Sequence, residues 1–333
     1  LGAASLLLIA WLTLHWGILP HVDEWRPQIE NRASKALGVP VRIGRIVVSA
    51  GGLVPALQLS DVVLLDADQH EALRLPKVSA AVSLRSLIGR RLRFEQLLIE
   101  GASLEVRRDA QGRLHAAGLT LNTGDGPGDG AAADWFFSQR EFAVRRGTLR
   151  WTDEQRGLPA LELRDVDLVF RNGLRRHRMR IDATPPADWG ARFSLQGDFT
   201  QSLLERSGDW RRWSGTLHGD LPHADLARLH GHLDLPFEFR AGRGAVRAWL
   251  ERAQGQWTAA TVDLALRDLA LRLGNDLRPL AFAQADGRLL VALDLLPPGT
   301  SLRDLRARLL EDNVAGFYDE RPGRKKLYAV SED

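Results

Sequence analysis

The chain has 333 residues, enough for one large or two modest domains, and its 44% hydrophobic and 26% charged residues describe a folded body rather than a disordered one. A formal net charge of +3 gives no global attraction for nucleic acid, and the lack of cysteine excludes disulfides and thiolate metal sites.

The first element is apolar. Leu1 to Leu19 contains no Asp, Glu, Lys or Arg. At helical rise it spans about 28 Å, close to the hydrocarbon thickness of a bilayer. Leu6, Leu7, Leu8, Ile9, Leu12, Leu14, Ile18 and Leu19 supply the apolar side chains, and Trp11 and Trp16 suit the membrane interface. A cleaved signal would have a shorter apolar core and a small-x-small site, which "ILPHVDEW" lacks. Residues 1–20 are therefore predicted to be an uncleaved, single-pass transmembrane anchor.

Asp23 to Leu37 has helical spacing, with Trp25, Ile29, Ala33 and Leu37 on one face, Asp23 able to cap it and Gly38 able to end it. Such a helix can rest in the membrane interface or plug the open end of a following sheet; the second is preferred.

From Val39 the period becomes alternating. Val41–Ile43, Leu57–Leu59, Val78–Leu84, Leu92–Phe94, Leu97–Ile99 and Leu104–Val106 read as strands, with turn chemistry at Gly51-Gly52, Asp66 to Asp68 and Asp109 to Gly112. Ser83 to Gly89 reads as one helical turn. The helix and these strands form a first segment, residues 21–120. Residues 121–134, "LNTGDGPGDGAAAD", have linker composition.

A second series, residues 135–296, continues as an antiparallel meander. Its predicted strands include Phe142–Val144, Thr148–Trp151, Leu161–Leu163, Val166–Phe170, Thr258–Leu266 and Leu269–Leu273. A short helix is expected from His223. The self-similarity is loose, with no strict period. Residues 297–333 form an atypical tail, helical over Leu302 to Asp312 and then a hairpin fragment or frayed end.

Little here is chemical. "GDGPGDG" lacks the Gly-Lys-Ser/Thr of a phosphate cradle, and Pro127 removes one of its amides. His223, Asp225, His230 and His232 cluster, and the last two histidines would share a face if extended, but no glutamate has metal-site spacing and exposed loop histidines are preferred. Arg176, Arg178 and Arg180 alternate and would point one way on a strand, towards anionic headgroups or, more commonly, towards water. "DWRRW", Asp209 to Trp213, suits a membrane contact or a loop tip packed on itself. With no nucleophile elbow, P-loop or cysteine nucleophile, no catalytic residue, metal or cofactor is expected, and the chain is not expected to be an enzyme.

The alternating sheet allows two outcomes. A β-sandwich buries its apolar face against a second sheet. A curved sheet instead leaves that face open as a trough. A trough has value for lipids, because two sixteen-carbon tails in water cost on the order of 25 kcal/mol.

The succession "ILPHVDEWRPQIENRASKALGVPVRIGRIVVSAGGLVPALQLSDVVLLD", then "LRFEQLLIEGASLEVRRDAQGRLHAAGL", resembles the N-terminal part of the YhdP family of AsmA-like proteins. Leu233 to Leu273 is similar to strand pairs that follow in that family, and the resemblance covers roughly Leu6 to Leu293. It implies an inner-membrane anchor and a periplasmic β-groove carrying phospholipid towards the outer membrane. Family members are several times longer, so the resemblance implies an N-terminal fragment. "VAGFYDERPGRKKLYAV", Val314 to Val330, departs from the pattern.

The expected fold is mainly β: a transmembrane helix and an amphipathic cap helix, then a curved, mostly antiparallel β-sheet groove. The expected partners are phospholipid acyl chains and the inner membrane, not nucleic acid. By alternation alone, Ile99, Leu104, Val106, Leu149, Trp151, Leu168, Phe170, Leu195, Val246 and Leu264 are the candidates to line the groove. The alternative is a periplasmic scaffold or binding domain closed into a β-sandwich.

Overall fold

In a computed structural model, the described residues are 26–37, 39–49, 56–65, 69, 71–82, 94–116, 119–121, 134, 136–202, 205–206, 208–232, 238–272, 279–292, 316–321 and 324–329. The protein is mainly β. Chain contacts divide it into two compact units. The first holds Leu1–Gln155, Asp165–Leu174 and Arg206–Asp209; the second holds Arg156–Arg164, Arg175–Glu205 and Trp210–Asp333. The predicted anchor, the turn at Ser83 to Gly89, the body of the linker and the helix at Leu302 to Asp312 lie outside the described residues. Among the described residues no helix is long and apolar enough to cross a membrane.

The first unit opens with helix α1 (Arg26–Leu37), whose predicted start at Asp23 lies outside the described residues. Its side chains reach the first strand, β1 (Val41–Ser49). Val41 N–H donates to Ser34 Oγ at 2.8 Å and Ile43 N–H to Glu30 Oε1 at 2.7 Å. Backbone donors at the sheet's edge are thus satisfied by the helix, which does the work of a plug.

Strands β2 (Ala56–Leu65), β3 (Glu71–Val82) and β4 (Phe94–Glu100) follow in antiparallel succession. A side branch comprises β5 (Ser103–Arg108), β6 (Leu114–Ala116) and β7 (Leu119–Leu121). Asp109 holds its hairpin: it is 5% exposed and accepts from Gln111 N–H, Arg113 N–H and Arg113 Nε. Strand β8 (Glu141–Asp153) then runs parallel to both β4 and β5. This corrects the expected antiparallel meander. The long connection before β8 returns the chain to the same end of the sheet, which is the requirement for a parallel pair.

Strand β9 (Leu161–Asn172) is followed, in the second unit, by β10 (Arg176–Thr184), β11 (Phe193–Thr200), β12 (Ser214–Asp225), β13 (Glu238–Ala253), β14 (Gln256–Arg272) and β15 (Leu280–Ala292). From β10 to β15 each strand pairs antiparallel with the next. The expected short helix is α2 (Leu226–His232), capped by Asp225 Oδ1, which accepts from Ala227 N–H at 3.1 Å and Arg228 N–H at 3.2 Å. The tail forms a separate hairpin, β16 (Gly316–Arg321) and β17 (Arg324–Ala329).

A second correction concerns where strands end. Phe142–Val144 and Thr148–Trp151 are one strand, as are Leu161–Leu163 with Val166–Phe170 and Thr258–Leu266 with Leu269–Leu273. At each apparent break one residue is left-handed, and at Asp268 the pairing with β13 also slips by one as a bulge. Arg146, Asp165 and Asp268 have φ of 51°, 47° and 51°, and Asp61 in β2 has φ 53°. A residue in the left-handed region shifts the alternation by one, so apolar side chains on both sides stay on one face, while the register across Asp61 runs on unshifted.

Three of these left-handed positions share a sequence. Leu-x-Leu-x-Asp-(Val/Leu)-x-Leu occurs at Leu57–Leu64, Leu161–Leu168 and Leu264–Leu271, copies roughly a hundred residues apart. Each aspartate is faced by a glycine on the preceding strand. A Cβ on Gly44 would lie 3.0 Å from Asp61 Cβ; on Gly147, 3.4 Å from the Val166 carbonyl; on Gly242, 3.1 Å from Leu269 Cδ1. On its other side Asp61 falls between Ser60 and Val62, which pair with Lys77 and Leu75, so it lies opposite Pro76. A residue with no N–H is tolerated where the ladder is already interrupted. A helical segment precedes each copy: α1, residues 136–138, and α2.

Candidate functional site

In the second unit the pairing registers sort side chains into rows that cross the sheet. One row runs Met179, Gly197, Leu217, Leu250, Ala260; the next runs Ile181, Leu195, Gly219, Ala248, Val262. A third contains Leu221, Val246 and Leu264. Paired residues share a face and alternate residues along a strand do too, so these rows form one apolar surface. Its glycines leave room for their neighbours: a Cβ on Gly197 would fall 2.7 Å from Met179 Cγ, and one on Gly219 3.2 Å from Leu195 Cδ2.

Two caps bound this surface. At one end α2 sets Leu226 and Leu229 against Leu266 and Leu269, leaving Leu266 1% exposed. At the other, Trp213 lies flat on His177, with centroids 3.8 Å apart and an interplanar angle of 10°. His177 is 1% exposed and contacts Gln201 Oε1 through Nε2 at 3.2 Å; burial holds its pKa below the usual histidine value. Between the caps, Met179, Ile181, Leu195, Leu217, Leu250 and Val262 are only half-buried.

The opposite face is ionic. Arg176 bonds Asp198, Arg180 bonds Asp182 at 2.7 Å, Arg247 bonds Asp220 at 3.4 Å, and Arg288 bonds Asp263 at 2.5 Å. Hydrogen bonds from these arginines hold the carboxyls of Asp182, Asp198 and Asp263 below the ordinary carboxylate range. The alternating arginines of β10 therefore do project to one side, and carboxylates meet Arg176 and Arg180 there.

In the first unit the corresponding rows are Ile46, Leu59, Val78, Ile99, Val144 and Val48, Leu57, Ala80, Leu97, Phe142. Ile29 and Ala33 of α1 pack on the core around them. Here a buried core forms: Ile43, Val62, Val78, Ala80 and Ile99 are all under 9% exposed, while Val48, Leu57, Leu59, Phe142 and Val144 are half-buried around it.

The ten alternation-selected residues sort cleanly by face. Ile99 pairs with Val144; a Cβ on Gly147 would meet Val144 Cγ1 at 3.1 Å, and Leu149 and Trp151 follow Gly147 at alternate positions. Leu104 pairs with Leu149 and Val106 with Trp151. Phe170 meets Phe136 at 5.4 Å, Phe136 meets Phe142 at 4.8 Å, and Leu168 alternates with Phe170. These seven share the apolar face of the first unit, where Ile99 belongs to the buried core. Leu195, Val246 and Leu264 lie on the apolar face of the second unit, Val246 and Leu264 beside the α2 cap.

A protein-family model described as "YhdP protein" matches residues 1–294. The chain belongs to the YhdP family. No curated protein matches it. The matched span includes both apolar faces and stops before the tail hairpin, where the sequence also departs from the family pattern.

The histidine group of this YhdP-family chain is not a ligand set. His230 and His232 are on α2, where residues two apart diverge, so the shared face expected of an extended segment is lost. His232 instead meets the ring of Trp189 at 4.8 Å. Among the described residues no group of His, Cys, Asp or Glu is arranged to hold a metal ion.

Sequence reading missed Met179, Ile181, Leu217, Leu250 and Val262 as members of the open surface, although their alternation with charged residues is the same signal that selected Leu195. It also missed the Leu-x-Leu-x-Asp repeat, which was present as three matching octapeptides.

Proposed function

We propose that this chain is the N-terminal part of a membrane-anchored periplasmic β-groove protein that shields phospholipid acyl chains in transit between the inner and outer membranes. The carrying observation is the half-buried apolar surface between α2 and Trp213. A sandwich would bury such rows fully, whereas a lane for hydrocarbon keeps them accessible. Each methylene taken from water onto the surface contributes about 0.8 kcal/mol, so the lane lowers the transfer barrier without any reacting group. Family membership supports the same reading, as does the apolar run Leu6 to Leu19 as an inner-membrane anchor. On this reading the chain performs no catalytic step and needs no cofactor.

Site-specific photocrosslinking tests it. A benzophenone side chain at Leu195 or Leu217 is expected to capture phospholipid in cells, and one at Gln196, on the ionic face next to Leu195, is not. Equal capture at both positions, or none at either, would overturn the lane. The buried core of the first unit favours a second reading, a scaffold domain with a filled core, and absence of capture at Leu195 is the result that reading requires.

A further inference from the structure

On the ionic face of the second unit Arg176, Arg180, Arg247 and Arg288 pair with carboxylates, but one arginine lies on the apolar side. Gly215 pairs with Arg252 and Arg252 with Trp257, while Leu217 pairs with Leu250 one row inward. Alternation along β13 therefore sets Arg252 on the face of Leu250, about 7 Å farther towards the Trp213 end. Its Nη2 donates to the Arg211 carbonyl at 2.6 Å, and its guanidinium lies over the Trp257 ring, 5.4 Å from the centroid. No carboxylate among the described residues pairs with it, and its Nε is buried without an acceptor. Burial pushes its pKa down, as expected when a cation is desolvated without an anion. Trp257 is 40% exposed and Trp210, with Arg211 stacked over it at 5.4 Å, is 43% exposed. Cations and indoles at the margin of an apolar surface are the chemistry that meets a lipid headgroup.

We propose that Arg252, framed by Trp257, binds the phosphate of a glycerophospholipid whose acyl chains lie over Leu250, Leu217 and Ala260. This rests on the apolar surface being a lipid lane and adds that the lane reads a charged headgroup at this margin. A guanidinium on the apolar side, without a carboxylate among the described residues and beside an exposed indole, is what distinguishes the site. A charge-assisted hydrogen bond from its Nη end to a phosphate oxygen supplies the missing anion, and the Trp257 ring lies beside the cation.

The test uses the full chain in mild detergent with a benzophenone side chain at Leu217. It compares capture of phosphatidylglycerol with capture of diacylglycerol bearing the same acyl chains. The unaltered protein is expected to take phosphatidylglycerol roughly tenfold more efficiently, the size of effect that loss of one charged hydrogen-bond pair produces. Arg252→Gln should erase that preference and leave diacylglycerol capture unchanged, while Arg252→Lys keeps part of it. The melting temperature of Arg252→Gln should stay level or rise, because an unpaired desolvated charge has been removed. Equal capture of the two lipids by the unaltered protein overturns headgroup recognition and leaves the lane intact. Headgroup recognition is likewise overturned if Arg252→Gln retains the preference, or loses it only together with a fall in melting temperature. If the unaltered protein captures neither lipid, the lane fails and the headgroup site with it.

Discussion

The two units begin from one pattern and finish differently. Both carry rows of apolar side chains on one face of a sheet with charged residues on the other. In the first, Ile29 and Ala33 of α1 pack on a buried core that includes Ile43, Val62, Val78 and Ile99. In the second, α2 buries Leu266 and Leu269 but stops short, and the rows through Leu195, Leu217 and Leu250 stay half-buried. Alternation therefore specifies a face without saying whether anything covers it. Each helix sets two side chains on its core, Ile29 and Ala33 from α1 and Leu226 and Leu229 from α2.

The comparison breaks most visibly in the cores. Ile99→Ala should cost about 3 kcal/mol, since it removes a buried side chain from a packed cluster. Leu195→Ala should cost less, about 1–2 kcal/mol, because that side chain is only partly buried and no sealed cavity is left. Urea denaturation of the two variants measures both values. Comparable losses would mean that Leu195 is as enclosed as Ile99, and the distinction between a buried core and an open face would disappear.

A smaller effect tests what the units have in common. Asp61 and Asp268 hold left-handed φ angles inside strands, one in each unit. Replacement by valine at either position should cost about 1–2 kcal/mol, because a β-branched residue resists that backbone region. Replacement by glycine should be close to neutral. Thermal melts of the four variants give the ranking. A glycine variant as damaged as the valine one would show that the aspartate acts through its side chain and not through its backbone freedom.

Much of this architecture was legible in the residues. Alternation selected the correct face for Leu195, Val246 and Leu264, and in the first unit it held on both sides of Arg146. The cap helix was marked by Ile29 and Ala33, and a short helix was expected from His223. Strand ends were misread for one physical reason. A left-handed residue shifts the period by one, and a shifted period looks like a stop when only alternation is consulted. The repeated Leu-x-Leu-x-Asp with a glycine on the preceding strand would have distinguished the two. The parallel pairing of β8 was not legible, since it depends on where a long connection returns. Coverage was not legible either, because a half-buried leucine and a buried one have the same letter.

The smallest expected effect belongs to the second unit alone. His177 is packed beneath Trp213 at one end of the open surface and is held mostly neutral by burial, with its pKa below the ordinary value. In the unfolded chain a histidine takes up its proton near pH 6.5. Below that pH the unfolded state binds more protons than the folded one, so folding loses stability; above it the full contribution is present. The paired aspartates, whose pKa values are also depressed, lose their contributions only as the pH falls below about 4. The interval between pH 7 and pH 5 therefore isolates the histidine. The melting temperature of the parent should fall across that interval, and His177→Phe, which keeps a ring against Trp213, should fall less. Parallel curves would mean that the folded protein accepts the proton without opening the stack, and the Trp213 end would then be looser than its 3.8 Å ring contact indicates.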